Sequence, residues 1–205
     1  MSSLSKITPS STPEEVAAYR RCYMRAVSWS YVDQVYVGAL PEISGPCCHG
    51  DTLEETYRQL DEVVELFIDI YIHPEEVDIV PAEPGGMERY LSEFPAALQR
   101  WSWNGVVGIA PWVDVLAPLS PDSSPEEIEA AAAMYVRVSW WSPEESCYIG
   151  TLPEIDHLRF YRAPTQAACL EQLSTAATSA VRSHALGASS IPAPRACPVS
   201  DFARS

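Results

Sequence analysis

Tyr36-Val37-Gly38-Ala39-Leu40-Pro41-Glu42-Ile43 returns 112 residues later as Tyr148-Ile149-Gly150-Thr151-Leu152-Pro153-Glu154-Ile155. Each copy is a β-branched and aromatic run of strand length closed by a proline, which cannot donate to a ladder. The similarity extends upstream. Trp29-Ser30 returns as Trp141-Ser142, Tyr23-Met24-Arg25-Ala26 as Tyr135-Val136-Arg137-Val138, and Pro13-Glu14-Glu15-Val16 as Pro125-Glu126-Glu127-Ile128. From 13 to 43 the offset is constant, and 14 of 31 positions are identical. Chance at ordinary residue frequencies would give roughly two. One inserted residue then shifts the register, so that Thr52 meets Thr165 and Gln59-Leu60 meets Gln172-Leu173. The sequence reads as an internal duplication.

Within the first copy, 13–21 reads as a short helix, because Pro13 suits a first turn and Glu14 and Glu15 suit its dipole. Tyr23 to Trp29 and Val35 to Leu40 read as strands, Ser30 to Gln34 as the loop between them, and Pro46–His49 as a short third strand. Thr52-Leu53-Glu54-Glu55 reads as a capping box. Leu53, Tyr57, Leu60, Val63, Val64, Phe67 and Tyr71 follow at helical spacing, until Pro74 stops the helix. The corresponding helix of the second copy, about 165–184, is rich in Ala, Ser and Thr, and Ala168 replaces the capping glutamate. It is expected to be less well packed, or partly covered by the first copy.

The expected organisation is a disordered 1–12, a first module over 13–116 with an extension at 74–116, a linker at 117–124, a second and degenerate module over 125–190, and a flexible tail at 191–205. In the extension, Met87, Tyr90, Leu91, Phe94, Leu98 and Trp101 form one apolar stripe, and Gly105 to Leu116 is strand-like. The fold class is α+β: two βββα modules, each an antiparallel sheet with a helix packed on one face.

The net charge of −15 repels phosphate backbones, which argues against direct nucleic-acid binding and favours a basic partner. No apolar run approaches the roughly 20 residues of a membrane helix. The polar start, Met1 to Pro13, lacks the apolar core of a secretory signal. The six cysteines show no C-x-x-C pair and no framework spacing, which fits a reducing cytoplasm.

The run from Tyr23-Met24-Arg25 through Leu40-Pro41-Glu42-Ile43 to His49-Gly50-Asp51-Thr52-Leu53-Glu54-Glu55 resembles the HicB-like antitoxin domain. It covers about 23–71 well. In the second copy it covers Tyr135 to Ile155, while Ala163-Pro164-Thr165-Gln166 departs from it. The resemblance implies a partial ribonuclease-H-like βββα unit that binds and blocks a small basic RNA-cleaving toxin. Family members carry a DNA-binding segment after this domain, and none is read here. Two fused copies could mimic within one chain the dimer of single-copy relatives.

Catalytic chemistry finds little purchase. A ribonuclease-H-type nuclease needs an acid on its first strand, and neither Tyr23 to Trp29 nor Tyr135 to Trp141 contains one. Adjacent residues on a strand point to opposite faces, so at most Cys47 and His49 of Cys47-Cys48-His49 could share an ion. The expectation is a non-enzyme without metal or cofactor. The candidate partner-binding residues are Trp29, Tyr31, Trp140 and Trp141 at the ends of the first strands, with Glu62, Glu65 and Asp69 on the polar face of the long helix. Tryptophan suits both an interface anchor and a core. The partner is expected to be a basic protein, with a homo-oligomer or an intrachain pseudo-dimer also compatible. An adaptor or assembly role without a toxin is the alternative.

Overall fold

The computed structural model describes residues 6–30, 33–43, 45–73, 119–191 and 194. Their order is α1 (Pro13–Arg21), β1 (Arg25–Ser30), β2 (Val35–Leu40), β3 (Gly45–Gly50), α2 (Leu53–Ile72), α3 (Pro125–Ala133), β4 (Arg137–Ser142), β5 (Cys147–Leu152), α4 (Pro153–Asp156), β6 (His157–Ala163) and α5 (Gln166–Ala185). The fold is mixed α and β, with five helices and six strands among the described residues. All six strands join one antiparallel sheet in the order β3-β2-β1-β4-β5-β6.

The seam between β1 and β4 is informative. Ala26 faces Val138, Arg25 faces Ser139 and Val27 faces Arg137. Ala26 and Val138 are themselves 112 apart, so the offset read in the sequence maps onto a local twofold axis through this pair. The hairpins correspond as well: Gln34 (φ 57°) and Ser146 (φ 50°), the same 112 apart, are the left-handed residues that close them.

The elements start where local chemistry dictates. Thr12 and Ser124 each accept from the third helical amide, of Glu15 and Glu127, whose carboxylates reach back to the cap amides. These two capping boxes were not read in the sequence. The box expected at Thr52 is only half formed. Thr52 accepts from the Glu55 amide, but the Glu55 carboxylate accepts from Asp51 N instead. Gly50, just before this cap, is small for a packing reason. Its φ is not positive; it is small because a Cβ there would stand 2.9 Å from Thr56 Oγ1.

One face of the sheet carries the helices. Tyr19 of α1, Val27, Leu40 and the α2 residues Tyr57, Leu60, Val64 and Ile68 form one buried cluster, and Ile7 joins it. Ile7 lies in the segment that the sequence reads as disordered; burying its side chain removes apolar surface from water. A second cluster unites Ile128, Ala131 and Ala132 of α3 with Cys169, Leu173, Ala177 and Val181 of α5. Of the two alternatives expected for α5, looser packing is corrected, since Cys169, Leu173, Ala177 and Val181 are fully buried, while Leu170 does pack against the cluster of the first half. Alanines on both helices shorten the distance across which contact is made, so small residues pack as completely as large ones. Alternate strand residues, including Ala26, Val138, Trp140 and Ile149, make a third buried cluster with Met24 on the opposite face.

The apolar stripe from Met87 to Trp101, the strand-like 105–116, Tyr31 and nearly all of the tail lie outside the described residues.

Candidate interaction surfaces

The repeated polar residues turn inward. Arg25 is buried, and its guanidinium donates to the carbonyls of Arg20, Arg21 and Tyr23 (3.2, 3.4 and 2.6 Å), capping the end of α1. Arg137 does the same for α3 through Ala132, Ala133 and Tyr135, each at 3.1 Å. Glu42 accepts from Met24 N at 2.9 Å, and Glu154 from Val136 N at 2.7 Å. The Tyr-x-Arg and Leu-Pro-Glu-Ile motifs thus fasten each helix–strand junction. Sequence reading singled out both motifs, but assigned neither side chain this task.

The halves differ in what meets the arginine next. Arg25 Nε donates to Asp61 at 2.6 Å. At the matching place, Arg137 Nε donates to Ser174 Oγ at 3.2 Å, and no carboxylate pairs with it among the described residues. Burial pushes the Arg137 pKa down, and the coulombic influence of Tyr36 and Tyr57 opposes that. Tyr57 of α2 also donates to Arg137 O at 3.2 Å across the seam.

The expected partner-binding residues separate into three groups. Trp29 and Trp141 are half-buried and sit edge-on to Tyr36 and Tyr148, with centroids 4.9 and 5.2 Å apart. Both occupy the helix-bearing face. They lie at opposite ends of the antiparallel central strands, six residues from one another along the ladder, or about 20 Å. The Arg21 guanidinium lies 4.9 Å over the Trp141 ring. Trp140 is elsewhere: it is 6% exposed, in the cluster on the opposite face, with Phe160 edge-on at 6.2 Å. Neighbours on a strand point to opposite faces, so Trp140 and Trp141 cannot serve one surface.

The acids of α2 are exposed but engaged. Arg20 of α1 donates to Glu65 at 2.9 Å and Asp69 at 2.8 Å, and Arg58 pairs with Glu62 on the next turn. Exposed pairs of this kind hold weakly, so they compete with an incoming cation without excluding it.

The cysteines Cys22 and Cys169 are free, and burial pushes both thiols up to about 11. A buried thiol of that kind is a poor nucleophile. Among the described residues, no group of three or more His, Cys, Asp or Glu is placed to hold a metal ion. No helix among them is long and apolar enough to cross a membrane.

The chain matches no family model, no curated protein and no solved structure. The surfaces must therefore be read from their own chemistry.

Proposed function

We propose that this chain is a non-catalytic protein-binding module: two HicB-like βββα units, fused as an intrachain pseudo-dimer, that take a basic protein partner in the manner of an antitoxin neutralising a small ribonuclease. The observation that carries this reading is the pair of half-buried Trp–Tyr contacts at matching positions, about 20 Å apart on one face of a chain of net charge −15. Aromatic anchors in an acidic field suit a basic protein surface, with charge steering the encounter and burial of the rings holding the complex. The repeated polar side chains Arg25, Arg137, Glu42 and Glu154 hold backbone groups of the scaffold, which supports a scaffold over a catalyst.

The test is a pull-down of the tagged chain from its native lysate at low and high salt. Recovery of a small basic protein, lost at high salt, is the expected result. Trp29→Ala and Trp141→Ala should each weaken that capture by about tenfold or more, in keeping with an interface anchor. Unchanged capture by both variants would remove the Trp–Tyr pairs from the interface.

A stand-alone adaptor or assembly role is the second reading. The internal pairing of Glu62, Glu65 and Asp69 favours it, because these acids already have cations. Recovery of a large complex, or of the chain with no other protein at either salt, selects this reading.

A further inference from the structure

The two edges of the sheet are unlike. In β3, Pro46 lacks an amide hydrogen, and the register with β2 slips between Gly38 and Ala39. Both features blunt an edge against further pairing. In β6 there is no proline over its seven residues, and the register against β5 is regular where the two pair. No described strand pairs with its outer side.

The outer side can be identified. Gln172 of α5 donates to Arg162 O at 3.3 Å, so this carbonyl turns away from β5. In an antiparallel ladder, alternate residues turn both backbone groups to the same neighbour. The amide and carbonyl of Phe160 therefore also face outward. Phe160 is 37% exposed, one of three exposed large apolar side chains among the described residues. A groove of about 660 Å³ runs beside this edge on the helix face, with Leu152, Ile155, Arg159, Tyr161, Thr175 and Ala180 in its wall.

We propose that β6 pairs with β6 of a second copy of this chain, antiparallel and centred on Phe160, so that two six-stranded sheets become one. Phe160 is the midpoint of His157–Ala163, and the strand is complementary to itself in that register. Phe160 meets Phe160 of the copy, extending the edge-on contact that each ring already makes with its own Trp140. Arg159 comes opposite Tyr161 of the copy, twice by symmetry, and within one chain Arg159 already stands 5.1 Å over the Tyr161 ring. Arg162 keeps its own ion pair with Glu145. The grooves beside the two edges receive the side chains that the new strand turns to the helix face.

This association is independent of the basic-partner reading, and salt separates the two. Two chains of charge −15 repel, so added salt strengthens the self-pairing, whereas it weakens capture of a basic protein.

Sedimentation equilibrium of the full chain over rising concentration, at low and high salt, tests the proposal. It is to be combined with hydrogen exchange at the Phe160 and Arg162 amides. The expected result is a monomer–dimer equilibrium that tightens with salt, and protection of those amides in the dimer. Phe160→Lys sets two like charges opposite each other and should weaken the dimer by about tenfold or more, while Phe160→Tyr retains it. The far-UV spectrum and thermal midpoint of each variant show whether the monomer is intact. A chain that stays monomeric throughout overturns the proposal. So does a dimer whose protected amides lie in another segment, or an edge protected only when a foreign protein is bound.

Discussion

Glu42 is the most consequential single side chain. It is 4% exposed, one oxygen accepts from Met24 N, and the other, Oε1, is buried with no hydrogen-bond partner among the described residues. Burial pushes its carboxyl up to about 7 from the ordinary 4.5, although the Met24 amide and the Arg25 charge pull the other way. A raised carboxyl pKa favours the protonated folded state. Its contribution is complete below the unfolded value near 4.5 and is lost as pH rises through about 7. Between about pH 5 and pH 8 the natural chain should therefore lose roughly 2–3 kcal/mol more stability than Glu42→Gln. Urea titrations at the two pH values measure the difference, and parallel losses would show that Glu42 is not the group responsible. Ser146 offers a second test, since its φ of 50° is unfavourable for a side chain. Ser146→Gly should stabilise the chain by up to about 1 kcal/mol, read as an upward shift in melting temperature.

At the scale of elements, close approach of helix to strand sets the limits. A Cβ at Gly150 would stand 2.6 Å from Cys169 Sγ and 2.8 Å from Leu173 Cδ1, and one at Gly38 would stand 2.9 Å from Thr56 Cγ2 of α2. Gly150→Ala should cost about 2 kcal/mol or more in chemical denaturation, because both Cys169 and Leu173 are already fully buried. A loss below about 0.5 kcal/mol would mean that α5 can move off the sheet. The strand-to-helix tether is the converse case. Arg25 has Asp61 on α2, while Arg137 has only Ser174 on α5. Ser174→Asp should supply the missing carboxylate and stabilise by up to about 1 kcal/mol, no more, because the corresponding Asp61 is 52% exposed. Helix starts were legible from Pro13, Pro125, Thr52 and Thr165, since caps are local chemistry. The tight packing of α5 was not legible, because an Ala-rich face reveals its partner only when α3 is seen to present Ala131 and Ala132 to it.

At the scale of the whole molecule, the described strands share one sheet, and with it one expected unfolding unit. Tyr57 bridges to Arg137 O, Leu170 of α5 packs on the α2 cluster, and the β1–β4 ladder joins the central strands. Far-UV ellipticity and tryptophan fluorescence should therefore follow one coincident urea transition. Val138→Ala, at the fully buried centre of the seam, should lower that transition by about 2 kcal/mol in both probes. Two separated transitions would mean that the halves fold as independent units.

The sequence by itself determined most of the elements and their recurrence at an offset of 112, with strands read from β-branched runs and helix starts from local chemistry, whereas the pairing of Ala26 with Val138 came only with the tertiary structure. The elements and their recurrence follow from local propensity and from similarity along the chain. Tertiary structure decided which side chains remain for a partner. Trp140 and Trp141 are neighbours in sequence, yet one is core and the other half-exposed, and the acids of α2 meet Arg20 from a helix more than 40 residues away. Burial and long-range charge pairing depend on what the fold brings alongside, and no local pattern in the sequence encodes that.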